Sequence, residues 1–305
     1  MPLSEPLTIE QIGEFRRQGF LVIEKPQIGV SEVKWCQTIL TRLIETGTGR
    51  RDGRNFDLAA RDGGADGPSP NILRPSLYAT ELRNLSYRKT ALEWSKQLLG
   101  PEANFVGDLA ILKPSLNGGA TPWHQDEAFR EPGFDYQEIS IWIALTDGNY
   151  ENAPMAYIPG SHLKGILPHR LSGGAKNANS IECFEGFDAC TASVHPIPAG
   201  AMIIHHCRTV HGASGNKSGS PRLSYTLSFG LPPTIHKEFR EFPWLEGLRR
   251  TNQERRKQTM MRGGIFLEFF RILRSDIQTH RNFLSMFALR RFNQLRSVWQ
   301  RSKPR

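Results

Sequence analysis

Beyond residue 100 the chain breaks into short apolar or alternating stretches, at 105–113, 121–129, 139–146, 155–158, 201–206 and 223–230, each bounded by Gly, Pro or polar residues. Runs this short and this regularly punctuated predict antiparallel strands, which bury their apolar side chains only by closing into a sandwich or barrel. Ahead of them the pattern is helical. LTIEQIGEFRRQGFLVIEK reads as a helix with Thr8 as N-cap and Gln11 three residues on, followed by Gly19 and a strand over 20–23. Two further helices are expected over 31–45 and 81–99. Between them, 46–71 is rich in Gly, Asp and Arg and too polar to pack; its two readings are a solvated loop and a lid over an active site. Helices first and an antiparallel body afterwards make the expected class α+β.

Charge divides the chain unevenly. Residues 1–235 hold 22 Lys and Arg against 24 Asp and Glu, whereas 236–305 hold 17 against 6, so the net charge of +9 belongs to the last 70 residues. The expected organisation is a main domain over 1–235 and a basic extension over 236–305. No apolar run approaches the ~20 residues that span a bilayer. The start, MPLSEPLTIE, lacks the basic and then apolar build of a signal peptide, which makes the cytoplasm the expected location. Cysteines at 36, 183, 190 and 207 form no CxxC pair, against both a structural zinc site and a disulfide framework.

Chemistry concentrates in Trp123-His124-Gln125-Asp126. On an extended strand residues two apart share a face, so His124 and Asp126 can grip one ion, and a further His completes the two-His-one-carboxylate triad that leaves three positions of an octahedral ion open. His-x-Asp alone is a weak signal, and the third ligand is sought in AMIIHHCRTVHGASGNKSGSPRLSYTLSF. His211 is preferred there. His205 and His206 compete, because neighbours on a strand face opposite ways and one of them points inward; the bland reading for that one is a hydrogen-bonded core imidazole. The Gly- and Ser-rich stretch after His211 reads as a hairpin that sets His211 and Arg222 on adjacent strands, where the guanidinium could hold the far carboxylate of a dicarboxylate. An Fe(II), one Asp, such a dianion and one Arg cancel in charge, which makes burial tolerable. His162 reads as part of a turn, and His169, His195, His236 and His280 as solvated surface.

With these residues assembled, the chain resembles the phytanoyl-CoA dioxygenase family of Fe(II)/2-oxoglutarate-dependent oxygenases over roughly residues 8–232. The resemblance rests on the opening helix and strand, WHQD at 123–126, ISIWIAL at 139–145, IPGSH at 158–162, and HG at 211–212 followed by Arg222. It implies a double-stranded β-helix (jelly roll) in which His124, Asp126 and His211 bind Fe(II) and Arg222 holds the C5 carboxylate of 2-oxoglutarate. Trp142 matches a family position that lines the co-substrate pocket, although by composition it would equally be core. Ser224 matches a residue placed beside the same carboxylate. Where the family often carries Ser this chain has Ala213, and Ser214 is the residue that could supply the contact. Asp126 stands where halogenating relatives have a small residue, so hydroxylation is the implied outcome: O2 and 2-oxoglutarate are consumed, an aliphatic C–H of a small organic or lipid-linked substrate is hydroxylated, and succinate and CO2 leave. The reading from another class is a catalytically inactive jelly-roll binding protein.

In the extension, apolar residues at 265–273 and 284–299 recur near helical spacing, predicting two cationic amphipathic helices. They fit a peripheral contact with a membrane surface or an anionic carrier, or simply packing on the jelly roll. Nucleic acid is not expected, since no binding fold is recognisable there.

Overall fold

The computed structural model describes residues 5–64, 67–238 and 240–248, and within them strands set the plan. Three helices are described: α1 (Ile9–Gln18), α2 (Val30–Glu45) and α3 (Ser86–Leu99). The strands in chain order begin with β1 (Phe20–Ile23), β2 (Asn55–Asp57), β3 (Pro70–Leu73), β4 (Asn104–Lys113), β5 (Thr121–His124), β6 (Phe134–Asp135), β7 (Glu138–Ala144) and β8 (Met155–Tyr157). They continue with β9 (His169–Leu171), β10 (Ile181–Cys183), β11 (Ser193–His195), β12 (Met202–His206), β13 (His211–Ala213), β14 (Arg222–Gly230) and β15 (Thr234–Ile235). A seven-stranded sheet runs β1-β12-β7-β14-β4-β3-β2 and a four-stranded sheet runs β11-β8-β13-β5.

Alternation along the strands of the large sheet separates two cores. One face presents Leu21, Ile141, Ile204, Tyr225 and Leu227 to Phe15, Leu40, Tyr87 and Trp94 of the helices. The other face presents Phe20, Trp142 and Ile203 to Met155, Tyr157 and Ala213 of the small sheet. The two sheets therefore face each other with helices outside the larger one, the layer plan expected of a jelly roll. At the entry, Thr8 Oγ1 accepts from Gln11 N at 3.2 Å and the Gln11 side chain accepts from Thr8 N at 2.9 Å, the expected capping box. Gly19 ends α1 at φ 82°, and a Cβ there would run into the His162 ring and the Thr209 hydroxyl, so the chain passes in one residue from helix to β1.

Four expectations are corrected. The 46–71 stretch is no plain loop: it holds β2 and β3, which extend the large sheet beyond β4. Its polarity is spent internally, Asn55 Nδ2 donating to the last carbonyls of α2, Leu43 O and Ile44 O, at 3.1 Å each. The helix expected from 81 starts at Ser86, after a 3₁₀ turn over Thr80–Asn84. The strand expected over 121–129 stops at His124, and a 3₁₀ turn, Asp126–Phe129, takes over. His211 and Arg222 do not lie on neighbouring strands: β13 pairs with β5 and β8 of the small sheet, β14 with β4 and β7 of the large one. The stretch between them crosses from sheet to sheet because Asn216 ties it down, Nδ2 donating to Lys113 O at 3.1 Å and to Ser220 O at 2.8 Å.

The described start of the basic extension packs against the body. Leu248 is buried with Ala128, Leu171, Ala178 and Ile181, and Trp244 Nε1 donates to Ala128 O at 2.9 Å. The two amphipathic helices expected over 265–299 lie outside the described residues. No helix among the described residues is long and apolar enough to cross a membrane.

Between the sheet and the helices, Asp108 is buried and accepts from Tyr225 OH at 2.5 Å and from Ser76 N and Oγ at 3.2 and 3.1 Å. Tyr225→Phe removes a donor from a carboxylate that cannot reach water and should lower stability by about 1–3 kcal/mol, read as an earlier urea midpoint at unchanged slope. An unchanged midpoint would show that the network carries no load.

Candidate active site

Between the two sheets the ligand atoms of His124, Asp126 and His211 lie within 4.8 Å of one another. His124 closes β5 and His211 opens β13, and the two strands pair with these residues opposite each other. Their rings sit 4.2 Å apart, centroid to centroid. Gln125 keeps an extended backbone, φ −116° and ψ 133°, so the alternation of the strand runs one residue past its end and Asp126 faces the same side as His124.

The tautomers follow from the hydrogen bonds. His124 Nδ1 meets Pro122 O at 2.8 Å and His211 Nδ1 meets Thr209 O at 2.9 Å. A carbonyl only accepts, so each Nδ1 carries the proton and each Nε2 presents its lone pair to the centre. Asp126 Oδ1 stands 3.6 Å from His124 Nε2 and 3.7 Å from His211 Nε2. That is long for hydrogen bonds, and it is within the span over which two donors can share one ion at about 2.0–2.2 Å from each. The other oxygen is occupied: Asp126 Oδ2 accepts from Ser140 Oγ at 2.9 Å and from His205 Nε2 at 3.3 Å. Tyr157 OH lies 3.3 Å from His205 Nδ1 and completes the chain.

Burial by itself would raise the Asp126 pKa, but the neighbouring His211, His124 and His205 outweigh it and hold the carboxyl well below its usual range. Burial pushes His211 well below its ordinary value, with His124 and His205 adding to the effect. The centre thus sets an ionised Asp126 carboxylate beside a neutral His211, the protonation a divalent metal requires of these two.

Arg222 and Ser224 lie on the chamber face of β14, in one alternating set with Thr226 and Ser228. Arg222 is 4% exposed and its guanidinium carbon lies 4.8 Å from the centre of the Trp142 ring. Trp142 is therefore core and lies against the Arg222 guanidinium. Burial lowers the Arg222 pKa to about 10. Arg222 Nη2 and Ser224 Oγ are buried with no hydrogen-bond partner among the described residues. A buried cation and hydroxyl left so fit a carboxylate. Beside them Lys113 is fully buried, with Nζ donating to Gly119 O at 2.5 Å and Ser214 O at 3.0 Å. Ser214 itself is exposed, so its carbonyl and not its hydroxyl serves this region.

The residue expected inward of the His205–His206 pair is His205, and its partner is the Asp126 carboxylate instead of backbone. Strand alternation announced it. Ser140, a lone hydroxyl in the apolar run ISIWIAL, carried the same kind of signal and went unread. His169 is not on the surface: it is buried, its Nε2 accepts from Gln125 N at 3.2 Å, and burial lowers its pKa to about 4. His236 is paired with Asp135 at 2.8 Å, and His195 is half-buried against Phe20. His162 lies in a turn as expected, and His280 lies outside the described residues. Around Asp126 the segment is held from outside as well. Gln125 Nε2 donates to Gly165 O and Arg208 O, and the buried Glu127 accepts from Arg208 Nε at 2.6 Å. Trp244 lies against both Ala128 and the His169 ring.

Comparison with known proteins agrees with this arrangement. The chain is similar to the ectoine dioxygenase of Halomonas elongata, 28% identical over 71% of this chain and 68% of that one. It is 25% identical to a probable alpha-ketoglutarate-dependent hypophosphite dioxygenase of Stutzerimonas stutzeri, over 68% of this chain and 73% of that one. Among solved structures, EvdO2 of Micromonospora carbonacea var. aurantiaca complexed with 2-oxoglutarate superposes with a TM-score of 0.66 at 26% identity, covering 80% of this chain and 99% of that one. The sequence model for phytanoyl-CoA dioxygenase matches residues 15–224, and the chain belongs to that family.

Proposed function

We propose that this 2-oxoglutarate-dependent dioxygenase hydroxylates an aliphatic C–H of a small organic substrate, with His124, Asp126 and His211 holding Fe(II) and Arg222 and Ser224 holding the C5 carboxylate of 2-oxoglutarate. The observation that carries the reading is the convergence of one carboxylate oxygen and two imidazole nitrogens within 4.8 Å. Iron and 2-oxoglutarate together supply the oxidation, in which O2 is consumed, succinate and CO2 are released, and one oxygen atom is left on the substrate carbon as an alcohol. The protein's own contribution is geometric and electrostatic. Ser140 and His205 hold Asp126 Oδ2 so that Oδ1 faces the metal position, and Pro122 O and Thr209 O fix the two imidazoles in the ligating tautomer. Arg222 anchors the co-substrate end away from the iron, and the Trp142 ring stacked on the guanidinium keeps water from competing for it. The full set of ligands and anchor speaks against an inactive binding protein.

Two measurements test the assignment. Ser140→Ala frees Asp126 Oδ2 and should raise the Fe(II) concentration for half-maximal succinate formation by about 10- to 100-fold with the 2-oxoglutarate requirement unchanged; no change in iron requirement would mean that the bond does not position Asp126. Arg222→Ala should act on the other ligand, raising the KM for 2-oxoglutarate at least about 30-fold, as loss of a buried charged anchor worth about 2–5 kcal/mol implies, with iron affinity retained. An unaltered KM would move the anchor elsewhere.

A further inference from the structure

Eight buried side-chain atoms have no hydrogen-bond partner among the described residues. One is His162 Nδ1, in the turn after β8, and two are Arg222 Nη2 and Ser224 Oγ, which the proposed function gives to the co-substrate. The remaining five are Asn71 Nδ2 and Oδ1, Ser69 Oγ, Asn179 Oδ1 and Ser180 Oγ. All four residues are at most 9% exposed, so water does not satisfy these atoms from outside. Unpaired polar atoms of this kind cost stability, and a concentration of them calls for a ligand.

Their placement points the same way. Asn71 on β3 stands opposite Ile111 on β4, which stands opposite Ser224 on β14. The next residue, Ile72, belongs to the core under the helices, so Asn71 faces the other way, on the chamber side that carries Ser224 and Arg222. Two strand spacings put Asn71 about 9–10 Å from Ser224 across the sheet. A molecule seated at Asn71 therefore lies beside the co-substrate position and not on it. Ser69 precedes Asn71 by two residues, and Ser69 N donates to Asp57 Oδ1 at 2.8 Å. Asn179 arrives from the β9–β10 connection, its Nδ2 donating to Asp57 O at 2.6 Å and its backbone N to Ala60 O at 2.8 Å. Asp57 thus joins the two segments, while Asn71 Nδ2 and Oδ1, Ser69 Oγ and Asn179 Oδ1 stay unmatched.

We infer that Asn71, with Ser69 and Asn179, forms the recognition site for the primary substrate, and that this substrate is a neutral, hydroxyl-rich molecule of the sugar or polyol kind. The chemistry of the set decides the class. Hydroxyl and amide groups both donate and accept, as vicinal hydroxyls do, and none of the three is ionised. A carboxylate or phosphate would find no cation among them, and an alkyl chain would leave their four open atoms unpaired. The inference rests on the oxygenase reading only for where the co-substrate lies.

The test uses the full chain loaded with Fe(II) and 2-oxoglutarate under anaerobic conditions, with methyl glucoside, myo-inositol and trehalose as hydroxylated probes and octanoyl-CoA as the aliphatic one. Melting temperature reads binding without turnover. At least one hydroxylated probe should raise it, and octanoyl-CoA should not. Asn71→Leu should abolish that rise and, in the absence of any probe, melt about 2–4 °C higher than wild type, because it removes an unpaired amide from the interior. A lower melting temperature for probe-free Asn71→Leu would show the amide to be structural and overturn the inference. So would a shift with octanoyl-CoA alone, or no shift with any of the three hydroxylated probes. Succinate release in air judges the oxygenase reading separately, since the melting readout does not depend on it.

Discussion

The two oxygens of Asp126 are used differently, and the rest of the site is arranged around that division. Oδ2 is taken by Ser140 and His205, and Oδ1 is left facing two imidazole nitrogens at hydrogen-bond-exceeding distances of 3.6 and 3.7 Å. An ionised carboxylate in the interior is costly unless it is compensated. Here the compensation is partial by construction: one oxygen is satisfied by the protein, and the other awaits a cation. Under the proposed function, three protein donors on one side would leave the opposite side of an octahedral ion to co-substrate and oxygen.

Each layer of the fold serves that arrangement. The large sheet supplies Ser140 and His205 from β7 and β12, the small sheet supplies His124 and His211, and the facing of the two sheets brings the groups together. Outside, the 3₁₀ turn that begins at Asp126 is held by Arg208 on Glu127, by Gln125 on two carbonyls and by Trp244 on Ala128. The last of these comes from the beginning of the basic extension. Residues just past 235 thus brace the turn that carries Asp126.

Much of this was legible in the sequence because it depends on local rules. The capping box at Thr8 and Gln11, the short strands, the shared side of His124 and Asp126 and the inward turn of one of His205 and His206 all follow from periodicity or from interactions a few residues apart. What failed was long-range. The stretch after His211 has the composition of a hairpin, and only the reach of Asn216 to Lys113, over a hundred residues away in sequence, carries it to the other sheet. The 46–71 stretch looks unpackable because its polar groups are counted as needing water, whereas Asn55 spends its amide on the end of α2. His169 gave no sign of burial, since its partner Gln125 and its cover Trp244 come from distant segments.

The central claim is that one ion and one dicarboxylate meet between the two sheets. The direct test is an anaerobic titration of metal-free protein with Fe(II) and then 2-oxoglutarate, followed by visible absorption for the metal-to-ligand charge-transfer band of the chelated co-substrate. The account predicts a band that needs both components, saturates at one of each per chain and is lost in Asp126→Ala. Folded protein that takes up iron but develops no band with 2-oxoglutarate would contradict it.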